Sequence, residues 1–576
     1  MAAPCTLRGR YRRAKLKSTV YAPYTPMAAG PESHAESLKA KSAPLDGRAQ
    51  QPKATAARPP HKWIIALSVM LGTTLEVLDG SIVNVSLPHM QGSFSASVDE
   101  IAWVLTSYLV ANGIMIPLTG WISSRFGRKR YFLTSVFTFV IASALCGAAR
   151  TLDQMVVFRL IQGVAGAAMI PSSQAIMMET FPPEEQQLAM AMWGVGMMCA
   201  PILGPTLGGW ITDNWNWRWN FYINVPIGAV AMVMVSTFVH DPSYLRERRT
   251  GGRVDYLGIA YLVMWLGLLQ IVVDRGQRAD WFNSAWVVWA TICSSIAMVL
   301  LIFRELRTSE PILELRFFKI PQFASALFAV VVLSFVLFGT GLLNPVFLQE
   351  FMGYTASKAG MVMVPRAMGA MTAMFLTGQV SRAGYDNKRL IGLSFTLIAI
   401  GLWAMAHWNL NVGMWQVIWP GMVLGAGLGM CFPILSAAAL SCVARERMGF
   451  AASLYNMMRN TGAAVGIAFL TNMLVRNQQV HQSYLVQHFS VFDAWRLGAA
   501  TPRVPGAPSF QFLPQIVTGQ KQGIGMVYGA IQKQSAMLAF NDIYRMLAAV
   551  AILMVPSFFL FRSAKTPGAG GNAPAH

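Results

Sequence analysis

Apolar stretches long enough to cross a lipid bilayer recur along nearly the whole chain, and no other feature restricts its fold as strongly. A helix needs about 20 largely apolar residues to traverse roughly 30 Å of hydrocarbon. Fourteen such stretches can be read: 64–87, 101–123, 131–149, 155–178, 188–211, 220–239, 255–273, 284–303, 322–347, 359–380, 389–407, 412–438, 451–475 and 541–562. Only 12% of the residues are Asp, Glu, Lys or Arg, against about 25% in a soluble domain. A single large water-soluble globule is thereby excluded. Many of the stretches hold internal Gly and Pro, which would break a soluble helix but are tolerated inside a membrane bundle, where neighbouring helices satisfy the backbone. The expected fold class is an all-α polytopic membrane protein with 14 spans.

The formal charge is +20, and its distribution sets the topology. Basic residues cluster in alternate connections: Arg125, Arg128, Lys129 and Arg130 after the second span; Arg246, Arg248, Arg249 and Arg253 after the sixth; Arg304, Arg307, Arg316 and Lys319 after the eighth; Arg382, Lys388 and Arg389 after the tenth; Arg445 and Arg447 after the twelfth. The intervening connections hold few or none. By the positive-inside rule the even-numbered spans end in the cytoplasm, and both termini are cytoplasmic. The acidic connection Glu179–Gln187 departs from the trend. Bases confined to short clusters between spans leave no place for nucleic acid as a partner. The six cysteines lie mostly in apolar stretches without metal-ligand spacing and read as small hydrophobes. Residues 1–60, basic and then rich in Pro, Ala and Ser, read as a flexible cytoplasmic tail without a signal-peptide core. The long connection 476–540 falls on the outer side. Part of it is expected to be helical, with 522–540 extending the last span.

Two passages resemble each other: Gly120 through Arg130, and Gly378 through Arg389. Each follows the second span of a six-span block if the seventh and eighth spans are an insertion, as a parallel duplication would place it. The expected organisation is a tail (1–60), a six-helix bundle (61–240), two inserted helices with flanking loops (241–320), a second six-helix bundle including the outer connection (321–562) and a C-terminal tail (563–576).

Charges inside spans mark function by default, because they must face the bundle interior or a cavity. Glu76 and Asp79 stand three residues apart on one face of the first span, about 20 and 24 Å along the helix from Trp63. Carboxyl groups in that position are suited to taking up and releasing protons, either separately or as a pair sharing one proton. A static contact between helices is the other role open to them. Arg159 in the fourth span keeps its charge and needs a partner or water access. Arg366 and Arg459 pose the same question in the second block. Asn84, Asn112, Gln162 and Asn224 are intramembrane polar groups suited to lining a cavity or joining helices. The fifth span carries Gly196, Gly204, Gly208 and Gly209 with Pro201 and Pro205, a pattern for a kinked helix packed closely on a neighbour. Trp210, Trp215, Trp217 and Trp219 read as an interfacial belt. No Walker A, HExxH or nucleophile-elbow pattern occurs. ATP-driven transport by this chain and an enzymatic role are therefore disfavoured, and the scattered histidines offer no compact catalytic set. A channel would not need the duplication.

These motifs, in this order, resemble the major facilitator superfamily, specifically its fourteen-span drug:proton antiporter branch, EmrB/QacA-like. Leu78 through Pro88 is similar to the branch's first-helix motif. Gly120, Arg125, Gly127, Arg128, Lys129 and Arg130 resemble the superfamily's cytoplasmic gating loop, with Ser124 where Asp is frequent. Arg159, Gln162 and Gly163 match the fourth-helix motif, Gly196 through Gly209 the antiporter motif, and Asn224 through Gly228 the segment that follows. The resemblance covers about residues 62–562 and implies the major facilitator fold, two six-helix bundles plus two inserted helices. It implies proton-coupled export of amphipathic small molecules or drugs across a bacterial inner membrane, driven by the transmembrane proton gradient with no cofactor. It also implies a periplasmic membrane-fusion adaptor and an outer-membrane channel as partners. A dedicated exporter of one endogenous metabolite, lipid or siderophore-like compound is the alternative within the same class.

Overall fold

The computed structural model describes residues 62–241, 254–308, 311–383, 385–487 and 521–556. The two tails, the bases between 246 and 253, and His488 of the outer connection lie outside the described residues. Among the described residues, fourteen long helices follow in chain order. The first block comprises α1 (Lys62–Phe94), α2 (Asp99–Phe126), α3 (Arg128–Ala148), α4 (Leu152–Thr180), α5 (Gln186–Asn214) and α6 (Trp219–Phe238). Next come α7 (Tyr256–Arg275) and α8 (Ala285–Arg307). The second block comprises α9 (Pro321–Phe351), α10 (Lys358–Arg382), α11 (Asn387–Met405) and α12 (Met414–Ser441), then α13 (Met448–Gln487) and α14 (Lys521–Met554). Each expected span falls on one of these helices. Thirteen are long and apolar enough to cross a membrane. The remaining one, α13, is too rich in Arg, Asn and Gln to read as a span by itself, and it packs among α2, α4, α9 and α14 instead.

The boundaries of the last two helices differ from the simple spans. α13 continues twelve residues past 475, and α14 begins at Lys521 rather than 541. At 1.5 Å per residue α13 is about 60 Å long, twice the hydrocarbon thickness, so its far end and the start of α14 stand clear of the apolar layer. The expected helical extension of 522–540 is present. His481 sits in this extended section, 2.7 Å from Asp542 of α14.

Packing follows the duplication. In the first block α1 lies against α4, α5 and α6, and α3 joins α4 to α6; in the second, α9 lies against α12, α13 and α14, and α11 joins α12 to α14. α5 meets α10 and α12, while α13 meets α2 and α4, so the blocks face each other along two seams. α7 rests on α2 and α13 together, bridging one seam from outside. Its partner α8 is peripheral: only 22% of its apolar window is buried, against 78% for α12. Its exposed Trp289, Ile296 and Phe303 form a lipid-facing surface, as a helix at the rim of a bundle requires.

The ends bearing the basic connections hold the blocks together. Gly120 of α2 lies directly against Phe450 and Ser453 of α13, and Gly378 of α10 against Leu188 and Ala191 of α5. Glu185 pairs with Lys62 and stands 4.0 Å from Arg382 of the opposite block. Arg128 pairs with Glu179. The acidic connection that broke the charge pattern is thus a counter-charge for neighbouring bases. Of the four tryptophans between the end of α5 and the start of α6, Trp210, Trp215 and Trp219 are exposed as a belt requires, but Trp217 is not. It is buried among Phe94 and Phe221, and its indole N–H donates to Ser93.

Candidate functional site

The geometry begins with α1. Glu76 and Asp79 fall on its buried face together with Leu75, Leu78 and Ile82, so both carboxyl groups are carried into the first block rather than toward lipid. Asp79 is completely enclosed, as is Arg159 of α4, and Arg159 Nη1 donates to Asp79 Oδ2 at 2.6 Å. The other carboxylate oxygen accepts from Gln162 Nε2 at 2.9 Å and from Asn224 Nδ2 at 2.8 Å. Three donors from two other helices therefore converge on one carboxylate. The arginine is held in turn: Nη1 also donates to Gln162 Oε1, Nε donates to the Val104 carbonyl, and the guanidinium carbon lies 4.3 Å from the Tyr108 ring centroid. Asn224 gives its second N–H to Ser143, whose hydroxyl donates to the Phe221 carbonyl.

This network accounts for the spacing in the sequence. Arg159 and Gln162, three apart on α4, share a face, as the hydrogen bond between them requires. Asn224 opens the long part of α6, where its side chain can reach across to α1. A charge pair taken out of water is costly, and removing one member leaves the other uncompensated at a cost of about 3–5 kcal/mol.

Glu76 lies on the same face but in a different network. Its Oε1 accepts from Asn112 of α2 at 3.1 Å, while Oε2 is buried without a hydrogen-bond partner. The two acids do not share a hydrogen bond: Asp79 is held by α4 and α6, and Glu76 by Asn112 of α2.

The remaining candidates divide. Asn112, Gln162 and Asn224 join the acids directly. Asn84 does not: it is exposed and its amide donates to the Gly80 carbonyl of its own helix. Arg366 of α10 donates to Thr340 Oγ1 at 2.7 Å and toward the Leu337 carbonyl of α9, within the second block. Arg459 of α13 lies over Phe432, 6.0 Å from its ring centroid, at the seam between blocks. The fifth-helix glycines pack on the helix that carries the acids. Gly204 lies against Ser81, Gly208 against Ile82 and Gly196 against Met70 of α1; Gly209 has more room. Pro201 and Pro205 lie on the exposed side of α5. In the connection after α2, Gly127 has φ 92°, a conformation that side chains disfavour. Lys129 there donates from its backbone to Asp241 and from Nζ to the Ser236 carbonyl, Arg125 stacks on Trp121, and Arg130 is exposed.

Sequence reasoning did not single out Tyr108, Ser143 or the pair Gln174–Asn456, in which Asn456 Nδ2 donates across the seam at 2.6 Å. Tyr108 precedes Asn112 by one helical turn, a spacing that could have marked it. For Ser143 no local signal exists.

The chain was compared with known proteins. Residues 69–467 match the model of the Major Facilitator Superfamily. The multidrug export protein EmrB of Escherichia coli K12 is 32% identical over 511 residues, covering 88% of this chain and 96% of that protein. The fatty acid resistance protein FarB of Neisseria gonorrhoeae is 32% identical over 515 residues, covering 88% and 98%. The proton:xylose symporter XylE aligns in structure with a TM-score of 0.55 at 14% identity, over 86% of this chain and 95% of that one, a likeness of fold. The chain belongs to the major facilitator superfamily, within its EmrB-like branch, and is a multi-pass membrane protein.

Proposed function

We propose that the protein is a proton-coupled antiporter that exports amphipathic small molecules, drugs among them, across a bacterial inner membrane by alternating access. The observation that carries this reading is the buried carboxylate Asp79 held by Arg159, Gln162 and Asn224 on the helix against which the fifth-helix glycines pack. Proton binding at Asp79 weakens its pair with Arg159, and proton binding at Glu76 changes the charge at the seam. Both events act on α1, whose contact with α5 is close enough to transmit a small displacement. The names of the related EmrB and FarB proteins support export as the direction and amphiphiles as cargo.

In this reading residues 61–240 and 321–562 are the two moving bundles and 241–320 the inserted helices. Both termini are cytoplasmic. The close contacts among Gly120, Phe450, Gly378 and Leu188 then seal the cytoplasmic end, which corresponds to an outward-facing state. The outer sections of α13 and α14 offer a surface for a periplasmic membrane-fusion adaptor leading to an outer-membrane channel. The proton gradient supplies the energy, and no cofactor or enzymatic step is involved.

The test is transport in sealed inverted vesicles with chemically diverse dyes and drugs. Uphill movement that collapses when a protonophore is added supports the proposal. Saturable movement independent of the gradient refutes it.

A further inference from the structure

The charge pattern leaves two bases without a role in topology. Arg275 and Arg278 stand where α7 ends, at the opposite end of the bundle from the basic connections around 125–130 and 445–447. With Asp99 and Trp103 of α2 and Trp286 of α8 they line a cavity of about 400 Å³, a size within the range of ligand sites, about 300–1,000 Å³. Neither guanidinium is used up by the protein. Arg278 is half exposed and donates from Nη1 to Asp99 Oδ1 at 2.6 Å, its one side-chain hydrogen bond among the described residues. Arg275 is more enclosed. Its Nη1 donates to the Asp99 carbonyl at 3.3 Å, but Nε and Nη2 have no hydrogen-bond acceptor among the described residues. Asp274 stands 3.6 Å from Nε, beyond hydrogen-bonding distance, and the same oxygen already accepts from the Thr106 hydroxyl at 2.5 Å. Buried donors without an acceptor are few in folded proteins. The Arg275 guanidinium carbon lies 4.6 Å from the Trp103 ring centroid. Trp103 and Trp286 are both exposed. Trp286 stands one turn before Trp289 on α8, so the cavity borders the helix surface that meets lipid.

We propose that this cavity seats the phosphate of a bilayer phospholipid, held by Arg278 with the charge of Arg275 behind it, while the acyl chains run along α8 past Trp286 and Trp289. The apolar runs of α7 and α8 stop here, which is the depth of lipid headgroups, and exposed indoles are the side chains that favour that depth. Guanidinium groups match phosphate oxygens in a fork and are weakly hydrated, so they give up water to such a partner readily. A free phosphate ion offers the same oxygens but nothing for the two indoles and the apolar flank, and this favours the lipid. Asp99 is the competing anion, since its carboxylate accepts from the guanidinium that the phosphate needs. A lipid seated there touches α2, α7 and α8 at once and pins the inserted pair to the first block. The site lies apart from Asp79 and Glu76 and does not rest on what the protein exports.

The experiment uses the full chain, delipidated in detergent, and titrates it with dioleoylphosphatidylglycerol or with dioleoylglycerol, which lacks the phosphate. The first lipid bound is read by native mass spectrometry. Wild type binds the phospholipid about tenfold more tightly than the diacylglycerol. Arg278→Gln, a change at a half-exposed side chain, brings the two within about twofold. Arg150→Gln, at an exposed base on the same end of the molecule but outside the cavity, leaves the preference intact. Asp99→Asn removes the competing anion and tightens the phospholipid several-fold without changing the diacylglycerol, a gain that cannot arise from misfolding. A large excess of inorganic phosphate does not displace the lipid. Equal binding of the two lipids by wild type overturns the proposal, as does a preference that survives Arg278→Gln or an Asp99→Asn variant that binds no tighter. Displacement by inorganic phosphate also overturns it, because the site would then belong to a free anion.

Discussion

The two six-helix blocks share a packing plan but not their chemistry. In the first, a carboxylate and a guanidinium are sealed together, and every oxygen of Asp79 is matched by a donor. In the second, Arg366 has only a hydroxyl and a backbone carbonyl as partners, and the helices around it hold Thr340, Asn344 and Tyr544, with the Tyr544 hydroxyl donating to Asn344 at 2.6 Å. A duplicated scaffold therefore carries an acid–base pair in one copy and neutral polar contacts in the other. The difference teaches that the fold itself needs no buried acid. A carboxylate kept in hydrocarbon at a desolvation cost of several kcal/mol is retained for what it does rather than for packing.

The sharpest way to break this comparison is Asp79→Asn. The amide preserves the shape but leaves Arg159 with no counter-charge. We expect uphill export to fall by about 100-fold or more and stability by about 3–5 kcal/mol, measured by dye export in inverted vesicles and by thermal unfolding in detergent. Undiminished gradient-driven export would show that the first block's acid is structural, like the polar groups of the second. Glu76→Gln comes next. Its carbonyl still accepts from Asn112, so the fold loses no more than about 1 kcal/mol. We expect movement down a substrate gradient to continue while movement against one falls by tens-fold, a split that separates coupling from passage. Loss of both together would place Glu76 with the structural groups.

Much of the architecture was legible because the bilayer imposes length and polarity on each helix. Thirteen of the fourteen helices are apolar enough to be read as spans by themselves. α13 was read as a span although it is the least apolar, and its surroundings explain why it crosses anyway: Arg459, Asn456 and Asn460 face protein rather than lipid. The acids on α1 and Arg159 were legible because charges within a span must turn inward. What stayed hidden were distances that no single helix determines. That Asp79 would bind Arg159 while Glu76, one turn away, would not follows from how α1, α2 and α4 cross. Asn84 looked equivalent to Asn112, but its helix turns it outward to its own backbone.

The contact between α1 and α5 sharpens the comparison from the side of motion. Any side chain at Gly204 meets Ser81, and overpacking of such a contact costs about 1–3 kcal/mol. Gly204→Leu is expected to reduce export about tenfold and to increase proton leak, read as faster collapse of an imposed pH gradient in proteoliposomes. Gly209→Ala, at a position with more room, is the matched control and should change neither. If Gly204→Leu cycles normally with a tight bilayer, α5 does not slide on α1.

Arg366→Met carries the smallest expected effect and tests the second block directly. Removing Arg366 leaves no orphan carboxylate, and Thr340 still donates its hydroxyl to the Val336 carbonyl at 2.7 Å. Arg366 is bound only to a hydroxyl and a carbonyl, so replacing it with an apolar side chain of similar volume strands no opposite charge. We therefore expect thermal stability unchanged or raised and export within about tenfold of wild type, in contrast to the loss at Asp79. A loss as large as that of Asp79→Asn, without unfolding, would mean that the second block also holds an essential charge. The division of labour would then lie between one acid and two arginines rather than between two halves of the molecule.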